Sequence, residues 1–146
     1  GVRSATLADL PQLAALFDGY RRFYGKLDDA STSHDFIRQR LLAGDSHLLV
    51  YQQHGELLGF TQLLPLFSSV LAAKVWLLND LFVAEQARRS GVGQALLHAS
   101  AELARQHGVQ RLDLVTAVDN HTAQALYQAQ GWQRDTRFYR YQLALG

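Results

Sequence analysis

The spacing of apolar residues changes period several times along the chain, and each change predicts an element. After Asp9, a candidate helix cap, Leu10, Leu13, Leu16, Phe17 and Tyr20 recur at three- and four-residue steps. Such spacing gathers them on one face and predicts a helix over 10–24. Residues 24–31 read as a loop, and a second helix is expected over 33–42, stopping at Gly44. From His47 the pattern becomes strand-like: 47–52 and 57–66 flank a His54-Gly55 turn, and 74–83 reads as a third strand. Helical spacing returns within 91–107 through Val92, Ala95, Leu96, Ala99 and Leu103. A strand over 111–116, a helix over 120–130 ended by Gly131, and a terminal strand over 138–145 complete the reading.

Strand 74–83, helix 91–107 and strand 111–116 form a βαβ crossover, which makes those two strands parallel, while the earlier hairpin is antiparallel. The expected class is α/β with a mixed sheet. Ligands of such sheets bind beyond the carboxyl ends of strands, near a helix N-terminus. Arg88 to Gly93 falls at that place.

Composition narrows the function classes. A chain of 146 residues, 48% hydrophobic and 18% charged, suits one soluble domain spanning 1–146. A formal charge of +1 supplies no basic field for nucleic acid. The most apolar stretch, 63–78, is broken by Pro65, Ser68, Ser69 and Lys74, short of the roughly 20 apolar residues of a membrane span. No secretory signal pattern is evident, and the cytoplasm is the expected location. The absence of cysteine removes disulfides, thiolate metal sites and a cysteine nucleophile. His34, His47, His54, His98, His107 and His121 show no ligand spacing, so no metal is expected.

Gly91 and Gly93 lack a Cβ, so backbone there can approach an anion, and the first N–H groups of the next helix have no internal partner. The helix dipole, Arg88 and Arg89 favour the same anion. An isolated G-x-G is otherwise a plain strand-to-helix turn. Gln94 after Gly93 breaks the P-loop fingerprint, and Leu96 breaks the dinucleotide one.

The segment Arg88-Arg89-Ser90-Gly91-Val92-Gly93 does match [QR]-x-x-G-x-[GA] and resembles the coenzyme A loop of the GNAT N-acetyltransferases. Trp76 to Val83 is similar to that family's central strand. Asn120, Ala123, Leu126, Tyr127 and Gly131-Trp132 look like its last motif. The resemblance covers 74–132, and the helices before residue 45 suit the family's variable substrate-covering region. It implies a mostly antiparallel mixed sheet, flanked by helices, with a splayed parallel central strand pair. It further implies acetyl-coenzyme A as co-substrate, a primary amine acceptor and a homodimer. Motif spacing looks most like the spermidine/spermine, diamine or amino-acid acetyltransferases, although Asn79 stands where several of those enzymes carry an acid.

The implied coenzyme contacts are Leu81, Phe82, Val83, Arg88, Arg89, Ser90, Gly91, Val92, Gly93, Gln94, Asn120, Ala123 and Tyr127. Backbone of Leu81 to Val83 would bind the pantetheine arm, one amide polarising the thioester. Asp80 is the candidate base, or else a structural carboxylate. Tyr127 occupies the position of a general acid, or else packs with Leu126. Asn120 can cap its helix and contact the coenzyme at once. Without cysteine an acyl-enzyme is not expected, and the amine should attack directly in a ternary complex. Tyr20, Tyr24 and Asp28, with Asp29 and Asn79, are candidate contacts for a cationic amine, or else part of a solvated loop. A protein lysine or N-terminal acetyltransferase and a non-catalytic acyl-coenzyme A sensor remain the alternative readings.

Overall fold

The structure, a computed structural model, describes residues 1–27 and 29–146. Two units, Gly1–Val115 and Thr116–Gly146, are described in turn. The first holds β1 (Val2–Ser4), α1 (Leu10–Phe23), α2 (Ala30–Ala43), β2 (His47–Gln53), β3 (Glu56–Ser68), β4 (Ala73–Val83), α3 (Val92–Gln106) and β5 (Arg111–Asp113). The strands form one sheet in the order β1-β2-β3-β4-β5. All pairs are antiparallel except β4 with β5. The mixed α/β sheet therefore has the expected class, with β4 and β5 as its parallel pair.

Apolar faces explain the layering. Leu10, Leu13, Ala14 and Phe17 of α1 and Ile37 of α2 bury against Leu48, Val50, Leu57 and Phe60 of the sheet. On the opposite face, Val92 and Leu96 of α3 pack with Leu49 and Ala87, bordered by Leu58, Leu81 and Val83. Burial of each such side chain contributes about 1.5–3 kcal/mol. Leu57 and Leu58 thus serve opposite cores. Gly59 lets α3 press close: a Cβ there would stand 2.9 Å from the Phe82 carbonyl oxygen and 3.1 Å from Val92 and Leu96 side-chain carbons.

Several sequence expectations need correction. Three-residue β1 leaves too short a pattern to read, yet Val2, Arg3 and Ser4 pair with Tyr51, Val50 and Leu49. Strand 111–116 is cut to Arg111–Asp113. Asp9 does not cap α1 through its side chain. It ends a 3₁₀ turn (Leu7–Asp9), accepting from the Thr6 N–H at 2.8 Å and from two Arg3 nitrogens at 2.8 Å each. Asp28, a candidate acceptor contact, lies outside the described residues.

The second unit holds α4 (His121–Ala129). Asn120 caps it, its Oδ1 accepting from the Ala123 N–H at 3.2 Å, as its residue type suggested. The strand expected over 138–145 is not formed. Alternating side chains make a strand only when another strand supplies hydrogen bonds, and α4 is the regular element of this unit. Among the described residues, no helix is long and apolar enough to cross a membrane.

The Arg3 pair holds the Asp9 carboxyl at about 2, below the ordinary 3.8. Asp9→Asn should cost about 1–3 kcal/mol at neutral pH, read from urea unfolding. Asp9 stabilises the fold above its ordinary value, and that contribution is lost as pH falls through the folded one. The gap between wild type and variant should therefore close as pH drops toward 2. A gap unchanged across that range would show that the ion pair is not its source.

Candidate active site

Strand β4 sets the geometry of the site. It pairs with β3 along its whole length, but with β5 only through Val75, Trp76 and Leu77. From Leu78 to Val83 its other edge carries no paired strand among the described residues. The pairing ends with β5 itself, so the second half of β4 has a partner on one side only. A register shift falls at the same level: Gln62 faces Asp80 while Leu63 faces Leu78, so Asn79 is the extra residue of a β-bulge.

The bulge presents Asn79 to solvent and keeps Asp80 inside, 5% exposed. Gln62 Nε2 donates to Asp80 Oδ2 at 2.5 Å, and Asn79 Nδ2 donates to Oδ1 at 3.2 Å. Thr61 Oγ1 donates to the Asp80 backbone carbonyl at 2.8 Å. From α1, Tyr20 hydrogen-bonds the carboxylate and reaches the Asn79 carbonyl at 3.4 Å. Burial raises the Asp80 carboxyl above its ordinary value, against the downward pull of Gln62, Tyr20 and Asn79. A carboxyl so shifted is better matched to accepting a proton near neutral pH.

Tyr20 ties this acid to an aromatic wall. Its ring centroid lies 5.1 Å from Tyr24, 5.9 Å from Phe60 and 6.1 Å from Phe82. The structure thus brings together Tyr20, Asn79 and Asp80, with Tyr24 beside Tyr20. Periodicity had put Tyr20 and Asp80 on separate elements without showing that they meet. Gln62 was missed altogether. Its signal, a polar residue in an apolar strand, becomes readable only once register sets it opposite Asp80.

Past β4 the chain makes a 3₁₀ turn over Glu85–Ala87 and then the glycine loop. Gly91 (φ 86°) is the N-cap of α3, adopts a conformation costly for residues with a Cβ, and provides no side-chain cap. The first turn of α3, Val92, Gly93 and Gln94, therefore opens on N–H groups that the helix cannot satisfy itself. Ser90 Oγ donates to the Ala87 carbonyl and braces the loop. Arg89 (φ 63°) is exposed. Arg88 turns back, donating from Nε to the Val83 carbonyl at 3.2 Å, its guanidinium 5.9 Å from the Phe23 ring centroid and 5.6 Å from that of Phe82. A groove of about 640 Å³ adjoins it, lined by α1 residues including Gly19 and Phe23 and by Phe82 and Glu85.

In the second unit, Gly131 closes α4 and the Trp132 N–H bonds back to the Tyr127 carbonyl at 3.0 Å. That return sets the Trp132 ring 6.0 Å from the Tyr127 ring. The Gly-Trp pair of the sequence motif is thus a helix stop that steadies Tyr127. Among the described residues, no group of three His, Asp or Glu side chains could hold a metal ion.

A mixed sheet whose last pair is parallel, followed by a glycine turn and an uncapped helix, fits the acyltransferase class that the resemblance implied. The profile of the acetyltransferase (GNAT) family matches residues 13–132, and the chain belongs to that family. An uncharacterized N-acetyltransferase of Bacillus subtilis, YhfO, is 40% identical over 140 residues, 96% of this chain and 94% of that protein. The D-amino-acid N-acetyltransferase HPA3 of Saccharomyces cerevisiae is 34% identical over 59% of this chain and 53% of its own length. A solved probable acetyltransferase superposes with a TM-score of 0.92 at 40% identity, covering 100% of this chain and 98% of that one.

The raised Asp80 carboxyl has a consequence for stability. A folded value above the unfolded one means that the folded state binds its proton more tightly. Stability from this group is present below the ordinary carboxylate range and is lost as pH rises through the folded value. Unfolding measured from about pH 4 upward should show wild type losing stability relative to Asp80→Asn. Parallel curves would mean that Asp80 ionises as freely as in the unfolded chain.

Proposed function

We propose that the chain transfers an acetyl group from acetyl-coenzyme A to a primary amine by direct attack in a ternary complex. The observation that carries this reading is β4, open along one edge from Leu78 to Val83, with a buried acid at its bulge and the unsatisfied start of α3 beyond its end. Backbone of Leu81, Phe82 and Val83 offers hydrogen bonds to the pantetheine arm. The N–H groups after Gly91 suit the pyrophosphate, with Arg89, Ser90, Gly93 and Gln94 around it. The family profile runs through both units, which supports one catalytic domain.

An alkylamine with a pKa near 10.4 is neutral at pH 7 in only about one molecule in 2500, a deficit of ~4.6 kcal/mol. Asp80 removes that proton, directly or through water. The amine lone pair then forms the N–C bond, a β4 amide hydrogen-bonds the carbonyl oxygen for about 3 kcal/mol, and the C–S bond breaks. Tyr127 hydrogen-bonds or protonates the departing thiolate; full transfer from a phenol of pKa about 10 to a thiolate of about 8.5 is uphill by ~2 kcal/mol in water, so hydrogen bonding suffices. As the amide forms the nitrogen gives up its second proton, which balances the one the thiolate takes up, so the products are an amide and the free thiol.

For the acceptor, the aromatic residues Tyr20 and Tyr24 beside Asn79 and Asp80 suit a small amine. The amino-acid activity named for the yeast relative favours the same class over a protein lysine. A cytoplasmic homodimer is the location and assembly this reading carries.

Thiol release from acetyl-coenzyme A with a panel of diamines, polyamines, amino acids and aminoglycosides tests the activity; coenzyme binding without turnover on any amine would leave an acyl-coenzyme A sensor. Initial rates should give intersecting rather than parallel lines, since parallel lines would mean an acetylated enzyme. Tyr127→Phe should lower kcat by about tenfold or more with coenzyme affinity little changed. An unaltered kcat would take Tyr127 out of the mechanism.

A further inference from the structure

Gln62 is 1% exposed, and both ends of its amide are engaged. Its Nε2 donates to Asp80 Oδ2 at 2.5 Å, while its Oε1 accepts from Ser46 Oγ at 2.8 Å. An ionised carboxylate is acceptor-only, whereas a hydroxyl both donates and accepts. The amide must therefore turn its nitrogen to Asp80, and Ser46 completes the chain by donating to the other end. Burying a polar side chain in a sheet face costs free energy unless each end finds a partner, and here each does.

The two oxygens of Asp80 are consequently unequal. Oδ2 is engaged at 2.5 Å by a buried donor. Oδ1 has the longer contact, 3.2 Å, from Asn79, whose side chain faces solvent at the bulge. We propose that Gln62, locked by Ser46, is the positioning residue that keeps Asp80 Oδ2 an acceptor and thereby governs the protonation of the acid that takes the amine proton. The catalytic half of this statement rests on Asp80 acting as base. The structural half, that Gln62 governs the protonation of Asp80, does not.

The groups bonded to Asp80 are Tyr20 from α1, Gln62 and Thr61 from β3, and Asn79 from its own strand. Of these only Tyr20 titrates, and a phenol does so near pH 10. A pH response at mildly acid to neutral pH is then attributable to Asp80 itself. Removing the Gln62 donor withdraws a bond that favours the ionised form, so the carboxyl should hold its proton to higher pH.

The test uses the full chain labelled with ¹³C, following the Asp80 carboxyl resonance, assigned by its loss in Asp80→Asn, across a pH titration. Gln62→Leu keeps similar volume without a donor and should raise the midpoint by about one pH unit or more. Ser46→Ala leaves Gln62 in place but frees its amide to turn, and should move the midpoint the same way by less. This milder change keeps the question open to decision if Gln62→Leu folds poorly. Midpoints matching wild type in the folded variants would overturn the proposal. In kinetics with the best amine of the panel, the acid limb of kcat/KM should move with the resonance while KM for acetyl-coenzyme A stays the same. A uniform drop in rate with an unmoved midpoint would mean that Gln62 serves packing alone. A moved midpoint with an unmoved limb would uphold control of Asp80 by Gln62 and remove Asp80 as the base.

Discussion

Strand β4 must stay bound to β3 over its whole length while leaving β5 after three residues. A strand held on both sides would have no backbone to offer a ligand, and a strand held on neither would have no fixed position. Holding one side only gives a rigid strand with free hydrogen-bonding groups along the other. The remaining elements of the first unit serve this arrangement. Helices α1 and α2 cover one face, α3 covers the other, and the closeness of α3 depends on the missing Cβ at Gly59. The glycine loop emerges where β4 ends, so the first turn of α3 is delivered beyond the open edge by the same strand that provides it.

The bulge at Asn79 adds the chemistry. In a regular ladder continued from the Leu63–Leu78 pair, Asn79 would face Gln62 and Asp80 would take the opposite face, because side chains alternate along a strand. With the bulge, Asp80 faces Gln62 and Tyr20 in a site dry enough to raise its carboxyl. Burying a charge this deeply requires donors, but every donor also favours ionisation and lowers the carboxylate's affinity for a proton. Gln62 and Asn79 are neutral, and among the described residues no cation joins the groups bonded to Asp80. Neutral donors keep the carboxylate soluble in the sheet without pulling its proton affinity down as an arginine would. Asp9 shows the contrast: there a guanidinium grips the carboxylate and its value falls to about 2.

Legibility in the sequence followed how local the cause was. Helices α1 and α3 could be read because their apolar stripes lie within one turn of each other, and Asn120 because a cap acts three residues away. Strands were readable as segments, but not their partners. The parallel pairing of β4 and β5 came from a handedness rule, whereas its early end at Leu77 depends on register that no local pattern encodes. The same limit hid the bulge, and with it the meeting of Gln62 and Asp80, eighteen positions apart. The segment 138–145 shows the opposite failure, since it has a strand's alternation but no strand formed beside it in its own unit. Asp9 had the right residue type for a cap, and a more distant cation, Arg3, claimed it.

The residues of the aromatic wall contribute unevenly to stability. Tyr20 hydrogen-bonds the acid and also packs with Phe17, Phe60 and Phe82, the last two on the strands that build the site. Changing Tyr20 would therefore disturb the packing that keeps β3 and β4 in place. Tyr24 touches Tyr20 and Phe23 but is 49% exposed, so its replacement removes less buried surface. The same holds for Asn79, whose side chain is exposed at the bulge while its backbone carbonyl keeps the Tyr20 contact whatever residue stands there. Positions 24 and 79 can then change at small cost to the packing, at the loss of one donor to Asp80 in the case of Asn79, while the acid, its glutamine and the inner tyrosine stay as a unit.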